Sequence, residues 1–157
     1  MNKLFRYCAF LICTVVCFQL SASTSATIEL SATVPQAVSI SLSDSGYDFG
    51  DISTSSTADE LLATININSN AINGWQLILS NTNSDFKLTS STDEMPYSLK
   101  YNGTAVTYSS SIVLDSDDGS EGATLDMQKN LNVTLSSDDA LNAGSYNDTI
   151  TLEIVAN

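Results

Sequence analysis

Apolar side chains in this chain recur at every second position, and that period decides what it can fold into. Ile28, Leu30, Ala32 and Val34 share one parity, and Val38, Ile40 and Leu42 share the next. Then follow Leu61, Ala63, Ile65 and Ile67; Trp75, Leu77 and Leu79; Tyr97, Leu99 and Tyr101; Val106 and Tyr108; Leu131, Val133 and Leu135; and Ile150, Leu152 and Ile154. Residues i and i+2 lie on one face of a strand, so each run predicts a half-buried strand. No long segment carries a helical period, although Ser137–Leu141 allows a short helix.

Turn-forming residues separate the runs. Asn73-Gly74 and Asn102-Gly103 tolerate positive φ, which tight hairpins need. Asp44-Ser45-Gly46, Asp51–Asp59, Asp115–Gly122 and Asn142-Ala143-Gly144 read as loops or turns. Many short strands with regular turn signals predict an all-β domain, a sandwich or a small barrel.

The first residues have a different character. Asn2, Lys3 and Arg6 form a basic head, Tyr7–Leu20 is apolar, and small residues run from Ser21 to Ala26. This is the pattern of a secretory signal peptide over residues 1–26, with cleavage expected after Ala26 or, second, after Ser23. A lipoprotein signal wants a small residue before its cysteine, and Cys17 follows Val16. Cleavage would remove Cys8, Cys13 and Cys17 and leave 131 of the 157 residues, enough for one domain. A mature chain without cysteine, exported into an oxidising compartment, must hold together by its core alone. It keeps Lys87, Lys100 and Lys129 against 18 acidic residues, a charge of −15. That charge disfavours nucleic acid and anionic membrane surfaces as partners. It suits solubility, a basic protein or a cation.

Catalytic constellations are hard to assemble from these residues. The chain has no histidine, so the usual base for a serine nucleophile is missing. The acids are scattered over loops, and no glycine-rich phosphate loop occurs, so we expect no enzyme and no cofactor. Asp115, Asp117, Asp118 and Glu121 form a weak candidate calcium loop. They lack the glycine position and the closing glutamate of an EF-hand, and a solvated acidic loop is the simpler reading. Asn102, Asn132 and Asn147 match the N-glycosylation pattern, as chance predicts in so Asn- and Thr-rich a chain. Trp75 could offer a sugar platform, but its parity with Leu77 and Leu79 points to the core.

The run Thr27–Val34 precedes Pro35, which donates no ladder hydrogen bond. It reads either as the first strand of its own sandwich or as a strand that completes another copy's sheet. Eight residues reach roughly 26 Å. Burial of Ile28, Leu30 and Val34 would contribute on the order of 5–9 kcal/mol as an upper bound.

The stretch Thr27-Ile-Glu-Leu-Ser-Ala-Thr-Val-Pro35, directly after the signal pattern, resembles the N-terminal extension of chaperone–usher pilins, above all the alpha-fimbrial, colonisation-factor class of major subunit. Glu94–Gly103, with Met95-Pro96, is similar to that family's strand-turn segment, and Ala143–Leu152 is similar to its closing turn and last strand. Asp48-Phe49-Gly50-Asp51-Ile52 resembles a segment of the related spore-coat-U-like secreted proteins. The resemblance implies an immunoglobulin-like β-sandwich, incomplete by one strand and completed by a donated one. Residues 27–35 would be the donor strand, with Ile28, Leu30, Ala32 and Val34 as its inserted side chains, and 36–157 the pilin-like domain. Ile150, Leu152 and Ile154 would line the acceptor groove. The partners implied are copies of the chain or related subunits, a periplasmic chaperone that holds the carboxylate of Asn157, and an outer-membrane usher. The location implied is the periplasm and then a surface fimbria that supports adhesion, with no membrane insertion of the mature chain. The disulfide and C-terminal tyrosine of many pilins are missing here, and the alpha class also lacks the disulfide. Val38–Leu42 could be the true first strand while Thr27–Val34 is donated, or the two runs could pair within one self-sufficient domain. That second case leaves a free-standing secreted sandwich that binds a ligand, sugar or calcium.

Overall fold

The computed structural model describes residues 26–44, 46–51, 57–91, 93–136 and 141–157. The expected signal peptide therefore lies outside the described residues except for Ala26. So do residues 137–140 of the expected short helix and residues 52–56 of the expected loop Asp51–Asp59, of which residues 57–59 are strand instead. The chain divides into two units, Met1–Thr33 and Val34–Asn157.

The second unit is all-β: β1 (Val38–Leu42), β2 (Thr57–Ser69), β3 (Trp75–Asn81), β4 (Lys87–Thr89), β5 (Glu94–Tyr101), β6 (Thr104–Ala105), β7 (Ile112–Asp117), β8 (Thr124–Leu135) and β9 (Ile150–Ala156). No helix among the described residues is long and apolar enough to cross a membrane. One antiparallel sheet has the order β1-β2-β8-β5-β4, with β6 also on β5, and the other has the order β7-β3-β9. The order β1-β2-β8-β5 matches the A-B-E-D sheet of an immunoglobulin-type sandwich, and β3-β9 matches its C-F pair. The position beyond β9, where such a sandwich carries its G strand, holds no strand among the described residues.

The alternating residues meet in one core between the sheets. Ile65, Ile67, Leu77 and Leu79 are fully buried, and Trp75, Met95, Leu99, Leu131, Val133 and Leu135 are nearly so. Trp75 is thus a core residue, and its indole N–H donates to Thr124 Oγ1 at 3.1 Å. The Asn102-Gly103 hairpin forms as expected, with φ of 46° and 83° in the two-residue turn between β5 and β6.

Other expectations are corrected. Asn73-Gly74 is not a hairpin tip, because β2 and β3 lie in different sheets and the turn carries the chain across the core. Leu61 is exposed, because a register shift between Leu61 and Ala63 reverses the faces and brings Leu62 against the core instead. The strand after Asn102-Gly103 stops at Ala105, leaving Tyr108 at the surface edge-on to Phe86. β7 extends to Asp117, into the stretch expected to be loop. Residues 26–37 carry no regular secondary structure, so the first run is not a strand here.

Gly74 is required by the crossing. Its φ is +81°, and a Cβ there would collide with the carbonyl oxygen of Asp117. Gly103 has a similar φ but open space around it. Gly103→Ala should therefore lose only the conformational cost, about 1–2 kcal/mol. Gly74→Ala should lose more, seen as a lower urea midpoint at unchanged slope.

Candidate functional site

The site is built on the edge of β9 away from β3, which pairs with no strand among the described residues. Trp75 pairs with Ala156 and Asn81 with Ile150, so all seven residues of β9 lie along β3. In the same register, Thr82 N–H donates to Thr149 C=O at 2.9 Å and Asn157 N–H to Gly74 C=O at 3.0 Å. Backbone groups alternate sides along an antiparallel strand, so the odd-numbered residues of β9 face β3. Ile150, Leu152, Ile154 and Ala156 therefore turn their N–H and C=O groups to the open side. These same residues send their side chains inward, where Ile150, Leu152 and Ile154 are half-buried against the core.

β1 offers a second edge of the same kind. Ser43 N–H donates to Thr64 C=O and Asn70 N–H to Ala37 C=O, both at 3.0 Å, so its odd-numbered residues face β2. Val38, Ile40 and Leu42 then present backbone groups to the open side, with Val38 and Ile40 packed against the core. β1 neighbours β9, yet no ladder joins them. The two strands are antiparallel across this seam. Val38 pairs with Ser69, a short connection leads to Trp75, and Trp75 pairs with Ala156, so β1 begins where β9 ends.

Where the sheets part, near Leu42 and Ile150, a groove of about 560 Å³ opens toward the core. Leu42 and Leu62 wall it on one side and Ile150 and Leu152 on the other, with Leu131 and Val133 behind them. Ile154 lies further along the same face of β9. The expected acceptor residues are thus brought onto one inward face, two of them in the groove itself.

A polar network fixes the start of β9. Asp148 Oδ2 accepts from the Tyr97 hydroxyl at 2.7 Å and from Asn81 Nδ2 at 2.8 Å, while Oδ1 accepts from Asn83 N–H and Thr149 N–H. Asn83 Nδ2 in turn donates to the carbonyls of Lys87 and Asn147. This arrangement ties the loop after β3 and the face of β5 to the residue just before Ile150. No spacing or motif marks Asn81, Asn83 or Asp148 in the sequence, and only the folded approach of Asp148 to Tyr97 and the end of β3 gives them a joint role.

The expected donor residues sit at the surface. Ile28, Leu30 and Val34 are 83%, 92% and 81% exposed. Pro35 and Ala37 are held by one side chain, with Asn70 Oδ1 accepting from Ala37 N–H at 2.6 Å and Asn70 Nδ2 donating to Pro35 C=O at 2.9 Å.

The acidic candidate loop does not converge. Asp115 Oδ2 accepts from the Tyr101 hydroxyl at 2.9 Å, Asp117 accepts from Gly119 N–H and Thr124 Oγ1, and Asp118 accepts from Ser120 N–H. The Ser120 hydroxyl and then its N–H, both donating to Asp118, hold this exposed carboxyl below its ordinary range. Among the described residues no three His, Cys, Asp or Glu side chains group as metal ligands. No family model matches the sequence, and no curated protein matches it.

Burial, then the hydrogen bond to a carboxylate and its negative charge, push the hydroxyls of Tyr97 and Tyr101 well above the ordinary tyrosine value of 10.0. A group whose folded pKa is raised contributes stability that is complete below its unfolded value and is lost as pH climbs above it. The chain should therefore lose stability from about pH 10 upward. The double variant Tyr97→Phe/Tyr101→Phe should be less stable at pH 8 but show a flatter decline between pH 9.5 and 12 in urea midpoints.

Proposed function

We propose that this chain is a structural subunit of a surface fimbria or pilin-like coat. It assembles when the N-terminal segment of one copy enters the groove of the next. The observation that carries this reading is the edge of β9 away from β3, which pairs with no strand among the described residues and whose outward backbone groups belong to the residues that carry the half-buried side chains Ile150, Leu152 and Ile154. An unpaired edge over apolar side chains is a template for strand addition.

The length and spacing of the N-terminal segment support it as the occupant. Residues 27–34 reach roughly 26 Å and β9 roughly 23 Å. Ile28, Leu30, Ala32 and Val34 repeat at two, as do Ile150, Leu152 and Ile154. Antiparallel to β9, the segment would turn these four residues inward and use their own N–H and C=O groups on the β9 edge. It would run parallel to β1, where its alternate residues meet the second edge. Such a contact is head-to-tail and does not close, so it propagates as a filament. Until used, the edge and the segment both invite wrong pairing, which fits the expected periplasmic chaperone and usher and a role in adhesion.

Size-exclusion chromatography with mass detection tests the reading on protein beginning at Thr27. The parent chain should form a ladder of oligomers, and Ile28→Asp/Leu30→Asp should stay monomeric while keeping the same circular dichroism. Equally compact, equally stable monomers for both would overturn strand donation. They would favour a self-sufficient sandwich with a ligand in the groove.

A further inference from the structure

The segment Tyr47-Asp-Phe-Gly50 stands out in the sequence and has no part in the assembly described so far. It follows β1 and lies at the mouth of the groove, where Gly46, Tyr47, Phe49 and Gly50 line the same space as Ile150 and Leu152. Phe49 is half-buried and packs against the core, and the Tyr47 ring meets it edge-on with centroids 4.9 Å apart. Gly50 N–H donates to Asp48 Oδ1 at 2.8 Å within the segment, and no hydrogen bond among the described residues joins 46–50 to either sheet. A Cβ at Gly46 or Gly50 would meet nothing within 4 Å, and Gly50 sits at φ +66°. Among the described residues, 46–50 therefore meet the sheets through ring packing, and a glycine stands at each end.

We propose that Phe49 is a latch on the groove. In the unassembled chain its ring, backed by Tyr47, covers apolar surface that an incoming strand is to cover, and the strand displaces it. This rests on the strand-donation reading above. The magnitudes favour displacement, because a strand brings several aliphatic side chains and a backbone ladder against one half-buried ring. The latch answers a problem that the open edge creates: a groove lined by Leu42, Leu62, Ile150 and Leu152 would otherwise stand fully wet. Covering it with a side chain rather than a strand leaves the backbone groups of β9 available.

The test uses protein beginning at Thr27 and carrying Ile28→Asp/Leu30→Asp as a monomeric acceptor, and a fluorescein-labelled peptide of residues 27–35 as probe. Phe49→Ala should raise the association rate about tenfold, the equivalent of roughly 1.4 kcal/mol of ring burial removed from the barrier. It should also raise binding of an apolar dye by the free acceptor. Phe49→Leu should fall between the two, and circular dichroism should confirm that each variant is folded. If the peptide binds with a rate unchanged or slowed by the alanine, Phe49 is a fixed wall and the latch is overturned while strand donation stands. If the peptide binds neither parent nor variant acceptor, both fall.

Discussion

The ladder between β3 and β9 is the interaction on which the rest depends. β3 is the middle strand of the smaller sheet, and through Trp75, Leu77 and Leu79 it supplies that sheet's share of the core. β9 pairs with no other strand among the described residues, and β3 along one side and the Asp148 network at its start fix its position. Because that register turns the backbone groups of the even-numbered residues to the open side and their side chains inward, the edge and the apolar groove belong to the same residues. A one-residue slip would separate them.

Much of this was legible in the sequence because strand periodicity is local. Trp75–Leu79, Tyr97–Tyr101, Leu131–Leu135 and Ile150–Ile154 all appear with the inward faces their spacing implies. What the spacing missed is nonlocal. The shift at Leu61 depends on how β2 pairs with β8. Whether Asn73-Gly74 makes a hairpin or a crossing depends on which sheet receives β3. β7 was hidden because its acidic residues look like loop, although Tyr101 from β5 and Leu77 from β3 give Asp115 a place in the structure. Thr27–Val34 shows the reverse case: it has a strand pattern but joins no ladder among the described residues, and a ladder belongs to the pair.

The candidate site divides in the same way. Ile150, Leu152 and Ile154 could be placed on one face from parity alone. The free edge beside them, the second edge on β1 and the rings of Tyr47 and Phe49 could not, because each arises where the two sheets part. The strong acidity has few internal partners. Lys87 pairs with Glu94 at 2.8 Å and Lys100 with Asp59 at 3.2 Å, and such surface pairs contribute little. The carboxylates that matter to the fold are those that accept hydrogen bonds from tyrosine hydroxyls and loop amides.

The grip of Asn70 on Pro35 and Ala37 also has a mechanical meaning. It secures the chain at the point where β1 begins, and from there β1 runs away along the length of β2 through five successive pairs. A pull on the preceding residues, directed along the strand axis, would load those five pairs together in shear. Tension across the sheet would instead peel them one at a time. Asn157, hydrogen-bonded to Gly74, lies at the same end of the sandwich. The two ends of this unit thus share one pole, and a lengthwise load would be borne by whole strands rather than by a turn.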